Sequence, residues 1–132
     1  MKKIFFTIFI VLVSQIGMAQ ETANIPNQEP IYSSAGLEKQ PEFPGGFKEF
    51  GLYVQRHYMY PNVTPLKGRV FVEFVIEMDG SIADIKVIRD LGYGTGEEAM
   101  RLMKNCPKWI PGMLNGRPIR VRYSLPIAID LH

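Results

Sequence analysis

Cysteine is nearly absent from this chain: Cys106 is the only one in 132 residues, so no disulfide can close within it. Histidine is almost as scarce, with only His57 and the terminal His132. No Cys/His pair has metal-ligand spacing and the carboxylates are scattered, which removes the common metal-site classes. An excess of charge of one sign is also lacking. Lys2 and Lys3 are two of the 15 basic residues, and without them 13 basic residues balance 13 acidic ones. A basic face for general nucleic-acid binding therefore has no support. No internal repeat is present, and the sole long apolar run lies at the very start.

That run sets the expected compartment. Lys2 and Lys3 precede the apolar stretch Ile4–Val13, broken only by Thr7. Gly17-Met18-Ala19 puts small residues at the −3 and −1 positions of a cleavage between Ala19 and Gln20. This is the pattern of a secretory signal peptide. Even extended to Ala19, the stretch falls short of the roughly 20 residues that cross a bilayer core. The expectation is a cleaved leader at 1–19 and a periplasmic mature protein; the alternative is an uncleaved inner-membrane anchor. Gln20–Gln40 is polar, aperiodic and carries Pro26, Pro30 and Gly36, which reads as a flexible linker. Residues 41–132 then suit one small domain.

Elements inside that domain follow from periodicity. Pro41, Pro44, Gly45 and Gly46 exclude a helix at the domain's start. Phe47, Phe50, Val54 and Tyr58 recur at helical spacing, and Pro61 stops that helix beyond Tyr60. Asp79-Gly80 is a two-residue hairpin signal. With Met78 opposite Ser81, the pairs become Val72–Val87, Phe74–Ile85 and Ile76–Ala83 on one side and Glu73–Lys86 on the other. Thr95 and Glu98 match a capping box ahead of the stripe Ala99, Leu102, Met103, Cys106. After the turn-rich segment Pro111–Pro118, Ile119, Val121, Tyr123, Leu125, Ile127 and Ile129 alternate with Arg120, Arg122, Ser124, Pro126 and Ala128. Pro126 disfavours a central strand. The expected product is an α+β fold: two helices on one face of a three-stranded antiparallel sheet, ordered helix-strand-strand-helix-strand, with an uncovered edge.

Catalytic groups are hard to find. His57 sits at a helix end, where the dipole favours an imidazolium. Asp79-Gly80-Ser81 resembles a calcium or nucleophile loop only superficially, since the hairpin accounts for Asp79 and Gly80 and Ser81 has no base. Gly92–Gly96 lacks the Lys-Ser/Thr of a phosphate loop and does not open a βαβ unit. No catalytic residue, metal ligand or cofactor is expected, and the chain reads as a binding module, with a small periplasmic enzyme or cell-wall-binding domain as a remote alternative. Arg117, Arg120 and Arg122, with Lys104 and Lys108, form a modest basic cluster. It either solvates the last strand or flanks an edge for acidic partner segments.

The ordered set Pro41-Glu42-Phe43-Pro44-Gly45-Gly46, Tyr60-Pro61, Gly68-Arg69-Val70, Asp79-Gly80-Ser81-Ile82, Pro107–Gly112 and Asn115–Ile119 resembles the TonB C-terminal domain family, in its Bacteroidetes form. The resemblance covers nearly all of 41–132. It implies a periplasmic domain that binds TonB-dependent outer-membrane transporters by β-strand addition beside the last strand. Carried over, the partner-binding residues are Arg120, Val121, Arg122, Tyr123, Ser124 and Leu125, with Tyr60 and Pro61 near the contact. Another envelope protein, or a second copy pairing edge to edge, is the other occupant such an edge would take. Energy-transducing members keep a membrane anchor and a long Pro-rich linker. The leader and short linker here imply a stand-alone periplasmic member that does not couple the proton-motive force by itself.

Overall fold

The computed structural model describes residues 29–132; the expected leader, the Ala19–Gln20 cleavage site and the first part of the expected linker lie outside the described residues. From Ile31 to His132 the chain forms one compact unit. Its elements are β1 (Ile31–Ser33), α1 (Phe47–His57), β2 (Leu66–Ile76), β3 (Ile82–Arg89), α2 (Thr95–Lys104), β4 (Gly112–Leu114) and β5 (Arg117–Leu131).

The α+β class stands, but the sheet is not a three-stranded antiparallel one. Five strands take part, in the order β1-β5-β2-β3, with β4 also on β5 and β1 running parallel to β5. The last strand is the longest and lies inside the sheet for part of its length. It pairs with β2 from Val121–Ile76 to Leu131–Leu66. Its first residues return along β4 through Asn115-Gly116, both at positive φ, as a two-residue hairpin turn between opposed Leu114 and Arg117 demands. The expected linker also ends early. Ile31–Ser33 is a strand, and Lys39 exchanges backbone hydrogen bonds with Met113 at 3.3 and 3.0 Å. Sparse apolar content hid this segment, because main-chain pairing needs no particular side chain.

One face of the sheet carries the core. Val70, Val72, Phe74 and Ile76 of β2 and Leu125, Ile127 and Ile129 of β5 meet Phe50 and Val54 of α1 and Ala99, Leu102 and Met103 of α2. Burial of Phe50 and Val54 contributes about 1.5–3 kcal/mol each. Phe47, the first member of the same stripe, is 74% exposed.

Two local expectations are corrected. In the hairpin, Val72–Val87 and Glu73–Lys86 are opposed as expected, but Ile76 faces Ile82 and Val75 faces Ala83. An extra residue in β3 takes up the difference, and Asp84 sits there at φ 52. The turn is correspondingly longer: the Glu77 N–H donates to Ser81 O, and Gly80, at φ 88, donates to Glu77 O. The capping box is not formed either. Gly94 precedes α2 at φ 79 and supplies no side chain, while Thr95 Oγ1 donates to Gly92 O and accepts from Leu91 N–H. Glu98 is drawn away to Arg101 and to the Met59 N–H.

Candidate protein-binding edge

Beyond the end of the β2 ladder, Arg117–Ile119 pairs with β4. On the side of β5 away from β2, Arg120–Arg122 pairs in parallel with Ile31–Ser33. From Tyr123 onward, no strand among the described residues pairs with that side. The six residues expected to accept a partner strand are thus divided, with Arg120–Arg122 occupied and Tyr123–Leu125 open. Beyond them the open edge continues through Pro126, whose missing N–H is tolerated where a strand has only one neighbour.

Two apolar depressions flank this open stretch on the helix side. One, of about 200 Å³, is lined by Phe43, Phe47, Phe50, Trp109, Tyr123 and Leu125, together with Pro41 and Glu42. The other, of about 270 Å³, lies among Phe47, Phe50, Gly51, Val54, Tyr60 and Pro126–Ala128. Phe47 borders both. It is the first residue of α1, after Gly46, which supplies no side-chain cap. Its ring stands in water beside the unpaired strand edge and lines both depressions. Helical spacing grouped Phe47 with the buried Phe50, Val54 and Tyr58 and gave no sign of its exposure. The floor is rigid, because Trp109 stacks edge-on with Phe43, Phe74 and Tyr123 at centroid distances of 5.7, 5.5 and 5.8 Å.

Tyr60 reaches this groove, with its ring 4.9 Å from that of Tyr58 and its hydroxyl pKa raised by burial. Pro61 lines neither depression. Val121 is fully buried between Ile76 and Tyr32 in the sheet, so its side chain offers nothing to a partner. Ser124 is exposed on the opposite face. The arginines are engaged within the domain. Arg120 makes a two-point contact with Glu77, at 2.7 and 3.1 Å, that raises its pKa. Arg122 stands 3.6 Å from both Glu73 and Asp84. These pairs occupy the side chains on the face away from the groove.

Two further polar sites are engaged locally. Ser81 Oγ donates to Asp79 Oδ1 at 2.6 Å, which with the Ser81 N–H holds Asp79 down at about 2. Cys106, half-buried, accepts from Trp109 Nε1 at 3.1 Å, and burial raises its thiol pKa. Among the described residues no group of three or more His, Cys, Asp or Glu side chains could hold a metal ion, and no helix is long and apolar enough to cross a membrane.

Residues 64–131, just over half of the chain, match the family profile described as Gram-negative bacterial TonB protein C-terminal. The chain belongs to the TonB C-terminal family. The family is a transport-associated, non-enzymatic one, and it points to the cell envelope. Comparisons with curated proteins and with solved structures gave no match. The profile begins at Thr64 and so takes in β2, β3, α2, β4 and β5, but neither β1 nor α1. The depressions are thus lined by β5 and Trp109 from within the matched span and by Phe43, α1 and Tyr60 from before it.

Proposed function

We propose that this protein is a periplasmic TonB-like binding module, released by cleavage after Ala19, that takes an extended segment of a TonB-dependent outer-membrane transporter as an added strand on β5. The observation that carries this is the unpaired β5 edge from Tyr123 to Ala128, bordered by an apolar groove with Phe47 exposed above it. An added strand satisfies the idle main-chain groups of the edge, and its alternate side chains drop into the two depressions. Affinity comes from the backbone and selectivity from the groove. Family membership supports the partner class, since TonB C-terminal domains generally interact with outer-membrane transporters.

Proline within Tyr123–Leu125 would disturb the β2 ladder as well as the outer edge, so the sharper probe is Phe47→Glu. Phe47 is outside the core, and its replacement should leave the thermal midpoint within about 2 °C. Binding to synthetic peptides copying the N-terminal segments of the cell's outer-membrane transporters should weaken at least tenfold, as read by fluorescence anisotropy. Equal binding by wild type and Phe47→Glu would remove the groove from the reading.

A further inference from the structure

A strand of the usual five or six residues laid along Arg120–Leu125 would collide with β1, which already holds Arg120, Val121 and Arg122. We propose that β1 is a tethered competitor built into the chain, and that partner binding along the upper half of the β5 edge requires Ile31–Ser33 to leave. The inference rests on the reading of β5 as a strand acceptor.

Several observations make β1 the displaceable element. It has three residues in parallel pairing, the slightly weaker of the two ladder types per residue. Its side chains bury little: Ile31 is 38% exposed, Ser33 is exposed and Tyr32 is half-buried. The chain next to it is fastened separately. Glu38 and Lys39 bond to Met113, and Glu42 and Ile110 exchange backbone hydrogen bonds at 3.0 and 2.8 Å. Between β1 and this anchor lies Ser34-Ala35-Gly36-Leu37, where Gly36 has φ 75 and open space around it. The anchor therefore persists when β1 swings away, and the short leash keeps β1 at high local concentration. Few buried contacts and a peripheral position put such a segment among those that open most readily.

A partner meeting a site open only part of the time binds more weakly in proportion to the open fraction. The full-length mature chain carrying Tyr32→Pro and Ser33→Pro, which breaks both phases of the parallel ladder, should bind the same transporter peptides about 3- to 30-fold more tightly than wild type. The opposite perturbation is Ser33→Cys with Arg122→Cys on a Cys106→Ser background. These positions are opposed in the ladder, within disulfide reach. The oxidised form should lose affinity at least threefold, and reduction should restore it in the same sample. Amide exchange at Arg120–Arg122 should be faster in the proline variant, showing that pairing was lost, while the thermal midpoint stays close to that of wild type. Peptide affinity that is unchanged across proline, oxidised and reduced forms overturns the competitor role and leaves strand addition at Tyr123–Ala128 standing. Absence of binding in every form, with Phe47→Glu also silent, overturns the acceptor reading and the competitor with it.

Discussion

Tyr58 follows the last residue of α1, and its hydroxyl donates to Thr95 O at 2.7 Å, both residues being buried. Together with the Met59 N–H to Glu98 bond and the Arg101 bond to His57 O, it ties the end of α1 to the first turns of α2. Tyr58→Phe removes the hydroxyl's bond and leaves the Thr95 carbonyl with its intrahelical donor alone, so unfolding in urea should show a loss of about 0.5–1.5 kcal/mol. Burial also raises the Tyr58 hydroxyl pKa, with Glu98 adding to it, so the phenol stays protonated and donating throughout the physiological range. Asp79 behaves oppositely. Hydrogen bonds from Ser81 depress its folded-state pKa to about 2 from 3.8. A depressed pKa means that the carboxylate's contribution is fully present above pH 3.8 and is lost as pH falls toward about 2. Asp79→Asn should flatten the stability profile in that window and leave its slope near neutrality unchanged, as followed by acid titration of the circular dichroism signal.

At the scale of elements, the two tight turns of the sheet differ in what their glycines must do. An added Cβ on Gly80 would lie 2.0 Å from Trp109 O, and Gly80 O also accepts from the Trp109 N–H at 2.8 Å. Gly116 has a similar φ of 76 with nothing nearby. Gly116→Ala therefore meets backbone strain alone, about 1 kcal/mol. Gly80→Ala adds a clash with a main-chain oxygen, and denaturation should show a loss of at least about 2 kcal/mol. Elements governed by local physics were legible in the sequence: both helices from their apolar spacing, the hairpin from Asp79-Gly80, and β5 from its alternation. Features decided by distant partners were not. Asp84 breaks the register because the hairpin bulges, and no residue near Asp84 announces it. Glu98 abandons the cap because Met59 and Arg101 offer it better-placed donors. Ile31–Ser33 carries no periodic signal, and three residues are too few to establish one.

For the molecule as a whole, the family and the long last strand were legible because β5 alternates over its full length and the turn motifs fall in order. The groove was not, since its walls come from Phe43, Phe47 and Trp109, which meet only in the folded chain. The sequence pattern Gly17-Met18-Ala19 predicts that the mature protein begins at Gln20; N-terminal sequencing of the periplasmic form reads this directly, and an intact Met1 in a membrane fraction would contradict it. Trp109 is the chain's only tryptophan, it is 5% exposed, and it helps to floor the depression beneath the open edge. Nature has thus placed a single intrinsic fluorophore at the proposed docking surface, beside a thiol that touches its indole nitrogen. Occupancy of the groove should alter its ultraviolet emission, so the unmodified protein can report its own ligands by light.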